Sequence, residues 1–186
     1  MKDFFRKLLL CFLCLTLISC GDACEEEVPP TPAEQDAEVQ SYIRDFERRY
    51  DVEVDYEVRL VDGTLTDRLE VVGMCNWGWG KPTLVRLERS FWLSNNQDRR
   101  RALVFHELGH CTFKLGHNDH MFPVQIRNNQ GKMVTVDGPY SLMHSVLFSD
   151  RFYTQPMFSL HYEPQLLEEV EEQNAVLDGE VICTRH

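Results

Sequence analysis

Three histidines and one glutamate between residues 106 and 117 are spaced as metal chemistry requires. His106 and His110 are four residues apart, Glu107 follows the first of them, and His117 comes seven residues after the second. On an α-helix, residues i and i+4 lie on one face, so both imidazoles can bind one ion. Zinc accepts such nitrogens at about 2.0–2.1 Å in a tetrahedral site. The spacing therefore predicts a helix that binds one zinc ion.

Glu107 is the candidate catalytic residue of this segment. It lies about a third of a turn from His106 around the helix, too close in sequence to be a convenient third ligand. Its carboxylate is well placed to hold a zinc-bound water, whose pKa the metal lowers to about 7. The carboxylate can take a proton as the water attacks a carbonyl, and then pass it to a leaving amine. The pattern predicts a hydrolase, and a peptidase before other hydrolases.

The third ligand is predicted from the end of the helix. Gly116 can adopt the left-handed conformation that ends a helix after Leu115, and the turn can bring His117 back towards the metal. His120 and Asp119 follow within three residues and remain alternatives. Structural zinc sites take four protein ligands, whereas catalytic sites take three and keep one position open. We expect His117 as the third ligand.

The segment around these residues is predicted to be a buried helix. Over Ala102–Leu115, apolar side chains occur on nearly all sides, which is typical of a helix inside a core. Ser94 and Gln97 fit a capping box at its start. The arginines at 99–101 are expected in a solvated first turn, although basic charge at that end is unfavourable for the helix dipole.

The rest of the chain alternates helix and strand signals. Helices are expected over 37–50 and 165–173, the second with Pro164 as its first residue. Strands are predicted over 52–60, 69–74, 83–87 and 133–136, and a loop over 76–80. Trp77 and Trp79 in that loop suit either a substrate site or simple packing. These elements predict an α+β fold in which a twisted mixed sheet packs on the zinc-binding helix, with a further helix at the C-terminus.

The letters H-E-L-G-H-C from His106 to Cys111, a late histidine and a later Ser-Leu-Met resemble the metzincin clan of zinc peptidases. The clan pattern is H-E-x-x-H-x-x-G-x-x-H with a methionine-containing turn. Phe113 stands at the clan's glycine and Gly116 at its third histidine, so the histidine arrives one residue late. The whole motif, H-E-L-G-H-C with the late histidine and Ser-Leu-Met, is more similar to small bacterial lipoproteins classed as metallopeptidases. The likeness covers roughly residues 71 to 145.

The resemblance implies a metzincin-like fold, an endopeptidase activity and roles for residues near the second motif. It places Met143 beneath the zinc as the Met-turn residue. Some members of the clan carry a tyrosine two positions after that methionine, but Ser145 stands there in this chain. The group that stabilises the oxyanion is therefore open between His144, Tyr140 and Tyr153.

The N-terminus has the pattern of a targeting segment. Residues 1–19 begin with basic side chains and contain an apolar stretch, Leu8–Ile18, that is too short to span a bilayer comfortably. The stretch ends in Leu-Ile-Ser-Cys, which resembles a bacterial lipobox, so Cys20 is expected to be lipidated after removal of a signal peptide. A plain secretory signal or a short membrane anchor are the alternatives. Residues 20–36 are acidic and proline-rich and predict a flexible tether. Residues 37–186 then form the metallopeptidase-like domain.

Seven cysteines are present, and four of them lie beyond Cys20. An exported protein can form disulfides. The resemblance to the lipoproteins favours a bridge between Cys75 and Cys111. Two buried free thiols are the alternative.

Composition limits the partners. The net charge of −11 predicts no nucleic-acid partner. It would also repel anionic lipid, so an acyl chain would carry the attachment to the bacterial cell envelope. We expect a monomer that acts on a peptide or protein substrate. A different class remains open: a non-catalytic lipoprotein that zinc stabilises and that binds a partner.

Overall fold

The computed structural model describes residues 31–66, 71–78 and 81–178. The predicted signal peptide, Cys20 and the first part of the predicted tether lie outside the described residues. So do Trp79 and residues 179–186.

The chain has an α+β fold with two small sheets, which confirms the predicted class. Strands β1 (Glu57–Val61), β2 (Gly73–Gly78) and β3 (Lys81–Glu88) form one sheet in the order β1-β3-β2. Strand β1 is parallel to β3, and β2 is antiparallel to it, so the sheet is mixed. Strand β2 therefore forms an edge of this sheet.

Helix α1 (Pro32–Tyr50) begins five residues before the predicted position, inside the segment expected to be a tether. Thr31 caps it by accepting a hydrogen bond from the Glu34 backbone N–H, and the Glu34 carboxylate accepts from Thr31 in return. A capping box of this kind satisfies two backbone donors that the first turn leaves unpaired. The acidic, proline-rich composition of residues 20–36 predicted a tether and did not reveal this start of the helix.

Strand β1 begins at Glu57 rather than at residue 52. The backbone N–H groups of Val52 and Val54 bond instead to the Glu47 carbonyl and carboxylate at the end of α1, at 3.2 and 3.0 Å. Strand β2 covers positions 76–78, where a loop was predicted, because Asn76 and Gly78 pair with Leu84 and Lys81 across an irregularity in the register. Strand β3 agrees with the prediction and is longer.

Two predictions about the ends of the central helix are wrong. Ser94 belongs to a short helix, α2 (Arg89–Ser94), that the sequence did not reveal. Asn96 instead caps helix α3 (Gln97–Phe113) by accepting from the Arg99 backbone N–H at 3.2 Å. At the other end, Lys114 and not Gly116 takes the left-handed conformation, with φ 60°.

The C-terminal half is more regular than predicted. Strands β4 (Met121–Arg127) and β5 (Met133–Pro139) form an antiparallel pair, of which only part of β5 was expected. A 3₁₀ turn and a short helical segment lead into a π-helical turn, Phe158–Tyr162. Helix α4 (Glu163–Asp178) follows and is longer than the predicted 165–173. Pro164 is its second residue.

Helix α3 is the centre of the core. Aromatic rings from neighbouring elements surround it, with Phe46 of α1 and Phe158 each edge-on to Phe105 at centroid distances of 5.2 and 5.0 Å. A disulfide joins Cys111 on α3 to Cys75 on β2. A crosslink of this kind typically contributes about 2–4 kcal/mol by restricting the unfolded chain. Among the described residues, no helix combines the length and apolarity needed to cross a membrane.

Candidate metal centre

Three imidazoles converge at the C-terminal end of α3. His106 and His110 come from the helix, and His117 comes from the segment that follows it. The Nε2 atom of His110 lies 3.0 Å from Nε2 of His106 and 3.2 Å from Nε2 of His117. Of the residues described, these three form the group of side chains close enough to hold a metal ion.

Backbone carbonyls fix the protonation of the two helical histidines. His106 Nδ1 lies 2.7 Å from the Leu142 carbonyl oxygen, and His110 Nδ1 lies 2.7 Å from that of Leu115. A carbonyl only accepts, so each Nδ1 carries the hydrogen and each Nε2 of a neutral ring carries a lone pair. Burial lowers the pKa of His106 to about 3, so a second proton there is disfavoured.

Facing lone pairs at 3.0 Å repel each other unless a cation lies between them. Ligand nitrogens of a tetrahedral ion with bonds of about 2.0–2.1 Å stand about 3.4 Å apart. The spacings of 3.0 and 3.2 Å are close to that value. The donor set is therefore compatible with zinc, and the hydrogen bonds from Nδ1 to carbonyls are the outer contacts that orient histidine ligands in such sites.

Glu107 is buried beside the triad, on the side of strand β2. The backbone N–H of Cys75 donates to its carboxylate, while Oε2 is buried without a partner among the described residues. Burial raises the pKa of Glu107 to about 8. A side chain at Gly73 would collide with Oε1 and would lie 2.7 Å from Leu103 Cδ1, so the glycine makes room for this carboxylate.

Long-range hydrogen bonds hold the segment that carries His117. The backbone N–H of Asn118 donates to the Met143 carbonyl at 2.9 Å, and its side-chain amide donates to Glu169 on helix α4. The same carboxylate accepts from Ser141 Oγ at 2.8 Å. One carboxylate thus joins the segment after α3 to the turn at 141–145. Burial raises the pKa of Glu169, and the hydrogen bonds from Ser141 and Asn118 oppose that shift.

Met143 is fully buried and packs against the face of α3 that carries no side chain at Gly109. A Cβ at Gly109 would lie 2.6 Å from Met143 Sδ. The Ser141 hydroxyl accepts from the Met143 backbone N–H at 2.9 Å and so shapes the turn. The carbonyl of Leu142, in the same turn, is the one that accepts from His106.

The two rival ligands lie outside the histidine cluster that the described residues form. Asp119 is exposed, and its Oδ1 accepts from the Ser145 backbone N–H at 2.8 Å. The hydrogen bonds from Ser145 lower the pKa of this carboxyl. His120 is exposed and lines a neighbouring cavity of about 810 Å³. Neither contributes an atom to the histidine cluster that the described residues form.

Of the three oxyanion candidates, the structure brings one to the cavity that holds the triad. His144 lines this cavity, and its Nδ1 accepts from the Val146 backbone N–H at 3.1 Å, which leaves the hydrogen of a neutral ring on Nε2. Tyr153 is fully buried, and its hydroxyl accepts from the Phe148 N–H at 3.2 Å. Tyr140 lines the neighbouring cavity instead.

The cavity that contains the triad has a volume of about 940 Å³. Strand β2, helix α3 and the segment 144–147 line it. Trp77 stands at its rim with 57% of its surface exposed, and Lys114 Nζ lies 4.9 Å from the centre of its ring. Sequence reasoning missed Gly73 and Glu169, because their contacts are with residues distant in the chain.

No family model, no curated protein and no solved structure matches this chain. The assignment of the site therefore rests on the residues themselves.

Proposed function

We propose that this protein is a zinc-dependent peptidase with metzincin-like chemistry. The observation that carries the proposal is the convergence of three imidazole Nε2 atoms beside a buried carboxylate in one open cavity. His106, His110 and His117 would hold the metal. Three protein donors suit a catalytic zinc site, whereas structural sites take four.

When bound, zinc would act as a Lewis acid on a water molecule and on the substrate carbonyl. Glu107 would then act as the general base. It would take a proton from water as the oxygen attacks the peptide carbonyl carbon, and it would transfer that proton to the leaving nitrogen as the C–N bond breaks. Glu107 is buried, so little bulk water can compete for the proton that its carboxylate would carry.

Two further features support a peptide as the substrate. Strand β2 forms the edge of its sheet among the described residues and also lines the cavity. Its outer backbone groups, other than the Cys75 N–H that bonds to Glu107, can therefore pair with an extended chain. The Nε2 hydrogen that we infer for His144 is a suitable donor to a carbonyl oxygen at the same site. Lipidation at Cys20 would keep the enzyme at a membrane of the bacterial cell envelope.

The deciding experiment compares full-length wild type with Glu107→Gln and with a control on the exposed face of α4, Glu171→Gln. Zinc content is measured by elemental analysis, and hydrolysis is measured on a diverse peptide library. We expect about one zinc in all three proteins. Glu107→Gln should cut at least about a hundredfold more slowly, because proton transfer is lost.

Equal cutting by Glu107→Gln and wild type would refute the mechanism. A wild type that binds zinc but cuts nothing in the library would favour the alternative, a non-catalytic binding lipoprotein. A wild type without zinc after dialysis against a weak chelator would refute the metal assignment.

A further inference from the structure

Three consecutive arginines lie near the start of helix α3, and the structure gives them different surroundings. Arg100 pairs with Glu38 at 2.9 Å, and Arg101 pairs with Asp98 at 3.3 Å. Both side chains are mostly buried, so the expectation of a solvated first turn is wrong. Arg99 differs from these two in its ion pairing, because no carboxylate in the described part of the chain pairs with it.

The contacts of Arg99 leave its charge uncompensated. Its guanidinium donates to the side-chain oxygen of Asn95 and, at 3.3 Å, to the Leu147 carbonyl, and its Cζ lies 5.1 Å from the Phe91 ring centre. The Nε atom is buried and has no partner among the described residues. Arginine carries five N–H donors and a permanent charge. Its position in the first turn of a helix adds an unfavourable interaction with the helix dipole.

Arg99 lines the same cavity as the histidine triad. Residues 99, 103, 106 and 110 are spaced at intervals of four, three and four, which places Arg99 on the face of α3 that carries the two metal-binding histidines. Seven residues separate Arg99 from His106, or about 10 Å along the helix axis. That distance corresponds to one or two residues of an extended peptide, which spans about 3.3–3.6 Å per residue, plus a side chain.

Much of the cavity lining is apolar. Leu103, Phe91, Val146 and Leu147 are among the residues that line the cavity. Glu107 is the one carboxylate among the residues that line it. Arg99 therefore presents an uncompensated positive charge to a partly apolar cavity in a chain whose net charge is −11.

We propose that Arg99 is a specificity-determining residue that binds a carboxylate of the substrate, so that the enzyme prefers peptides with an acidic side chain close to the scissile bond. This inference rests on the proposed peptidase function. A guanidinium can bind a carboxylate through two parallel hydrogen bonds, and such bonds are strongest where water is excluded. Lys114, the other permanently basic side chain that lines the cavity, lies just after α3, where its ammonium group lies over Trp77 and bonds to the Cys111 carbonyl.

The test uses pairs of peptides that differ only by Glu or Gln at one position on either side of the scissile bond. Zinc-loaded full-length wild type should show a kcat/KM at least roughly tenfold higher for the Glu member at one position, as expected for a charge-assisted hydrogen bond. Arg99→Gln should bring this ratio close to one. Arg100→Gln, a matched control on the adjacent residue, should keep the ratio of the wild type. Arg99→Lys should retain part of the preference.

A general loss of packing would slow both members of a pair and leave their ratio unchanged, so the ratio isolates the charge of Arg99. Equal rates for Glu and Gln peptides in wild type would overturn the specificity proposal and leave the peptidase proposal standing. The same applies if Arg99→Gln keeps the preference.

If wild type cuts no peptide, the peptidase proposal fails, and calorimetry then decides the role of Arg99. The Glu107→Gln protein, loaded with zinc, is titrated with the same peptides. Tighter binding of the Glu member that disappears in the Arg99→Gln double variant would support the carboxylate site. Equal binding of both members would refute it.

Discussion

Helix α3 contributes to the candidate metal centre in one way, and the segment after it, together with the turn at 141–145, contributes in another. His106 and His110 are carried by a single buried helix, and their separation is set by its pitch. His117 is exposed and follows the end of that helix, and its approach depends on the turn at 141–145 and on Glu169. The helical half of the site, His106 and His110, is therefore local in sequence. The loop half, His117 and the segment that carries it, is assembled by tertiary contacts.

The two halves should therefore differ in how well they tolerate mutations in neighbouring elements. The separation of His106 and His110 should tolerate changes in the surrounding loops, because backbone hydrogen bonds within α3 maintain it, whereas the Leu142 and Leu115 carbonyls orient the two rings. The loop half should respond to changes as far away as helix α4. The disulfide between Cys75 and Cys111 ties strand β2, which positions Glu107, to the helical half. The following predictions test this division, from the largest expected effect to the smallest.

Removing one ligand should affect zinc binding most strongly in either half. Apparent zinc-binding free energies of about 10–16 kcal/mol, shared over three or four ligands, correspond to roughly 3 kcal/mol per ligand, or more than about a hundredfold in Kd. We expect losses of at least this size for His110→Ala and His117→Ala, measured by competition with a chromophoric chelator. His120→Ala is the control and should change Kd little. A larger loss of zinc affinity in His120→Ala than in His117→Ala would show that His120, and not His117, is the third ligand.

Gly73→Ala should impair catalysis while zinc remains bound. The added methyl group would collide with Glu107 Oε1, so the carboxylate must move. Displacing a catalytic group by about 1 Å can cost up to about a hundredfold in rate, and we expect a fall in kcat of roughly ten- to a hundredfold. Gly78→Ala on the same strand is the control, since a Cβ there has no neighbour within 4 Å. Similar activities of the two variants would contradict the role given to Gly73.

Gly109→Ala should destabilise the contact between the helix and the turn. Its Cβ would lie 2.6 Å from Met143 Sδ, inside a fully buried region. Overpacking of a core typically costs about 1–3 kcal/mol in the free energy of unfolding, which denaturant titration of the metal-free protein can measure. Gly116→Ala is the matched control because a Cβ there meets open space. A stable Gly109→Ala protein would mean that the turn moves easily relative to α3.

Ser141→Ala should have the smallest effect, and it should act through the turn at 141–145, which contacts His106 through the Leu142 carbonyl and the His117 segment through Glu169. The variant removes the hydroxyl that bonds to Glu169 and that accepts from the Met143 N–H. Outer-shell partners in metal sites typically contribute about ten- to a hundredfold in affinity. Ser141 is one contact further from the metal, so we expect a weakening of zinc binding at or below about tenfold. Ser41→Ala on the exposed surface of α1 serves as the control, and equal zinc affinities of the two variants would show that this hydrogen bond does not support the site.

The sequence alone predicted much of the helical half. The i, i+4 spacing of two histidines, the adjacent glutamate and the apolar surroundings define a buried metal-binding helix without knowledge of the rest of the fold. It also predicted the α+β class, strand β3 and the approximate position of α1. These features follow from periodicity, which acts over a few residues.

Other features could not be predicted in this way. The helix was expected to end near Leu115, with Gly116 in the left-handed conformation. It ends at Phe113, because Lys114 takes that conformation while the Leu115 carbonyl accepts from His110. The strand that positions Glu107 was expected to be a loop in part, because its pairing with β3 compensates for residues of low strand propensity. Such outcomes depend on partners that are far away in sequence.

The sequence by itself determined which side chains could bind a metal and act as a base, because ligand chemistry and helix pitch are local properties. Only the tertiary structure decided which of the nearby histidines joins them, since that choice depends on hydrogen bonds from residues 118 and 141 to Glu169. It also decided that Arg99, alone among three consecutive arginines, faces the cavity without a carboxylate partner in the described chain. The sequence specifies the charge of an arginine, but the elements that pack around it decide whether a carboxylate lies close enough to compensate that charge.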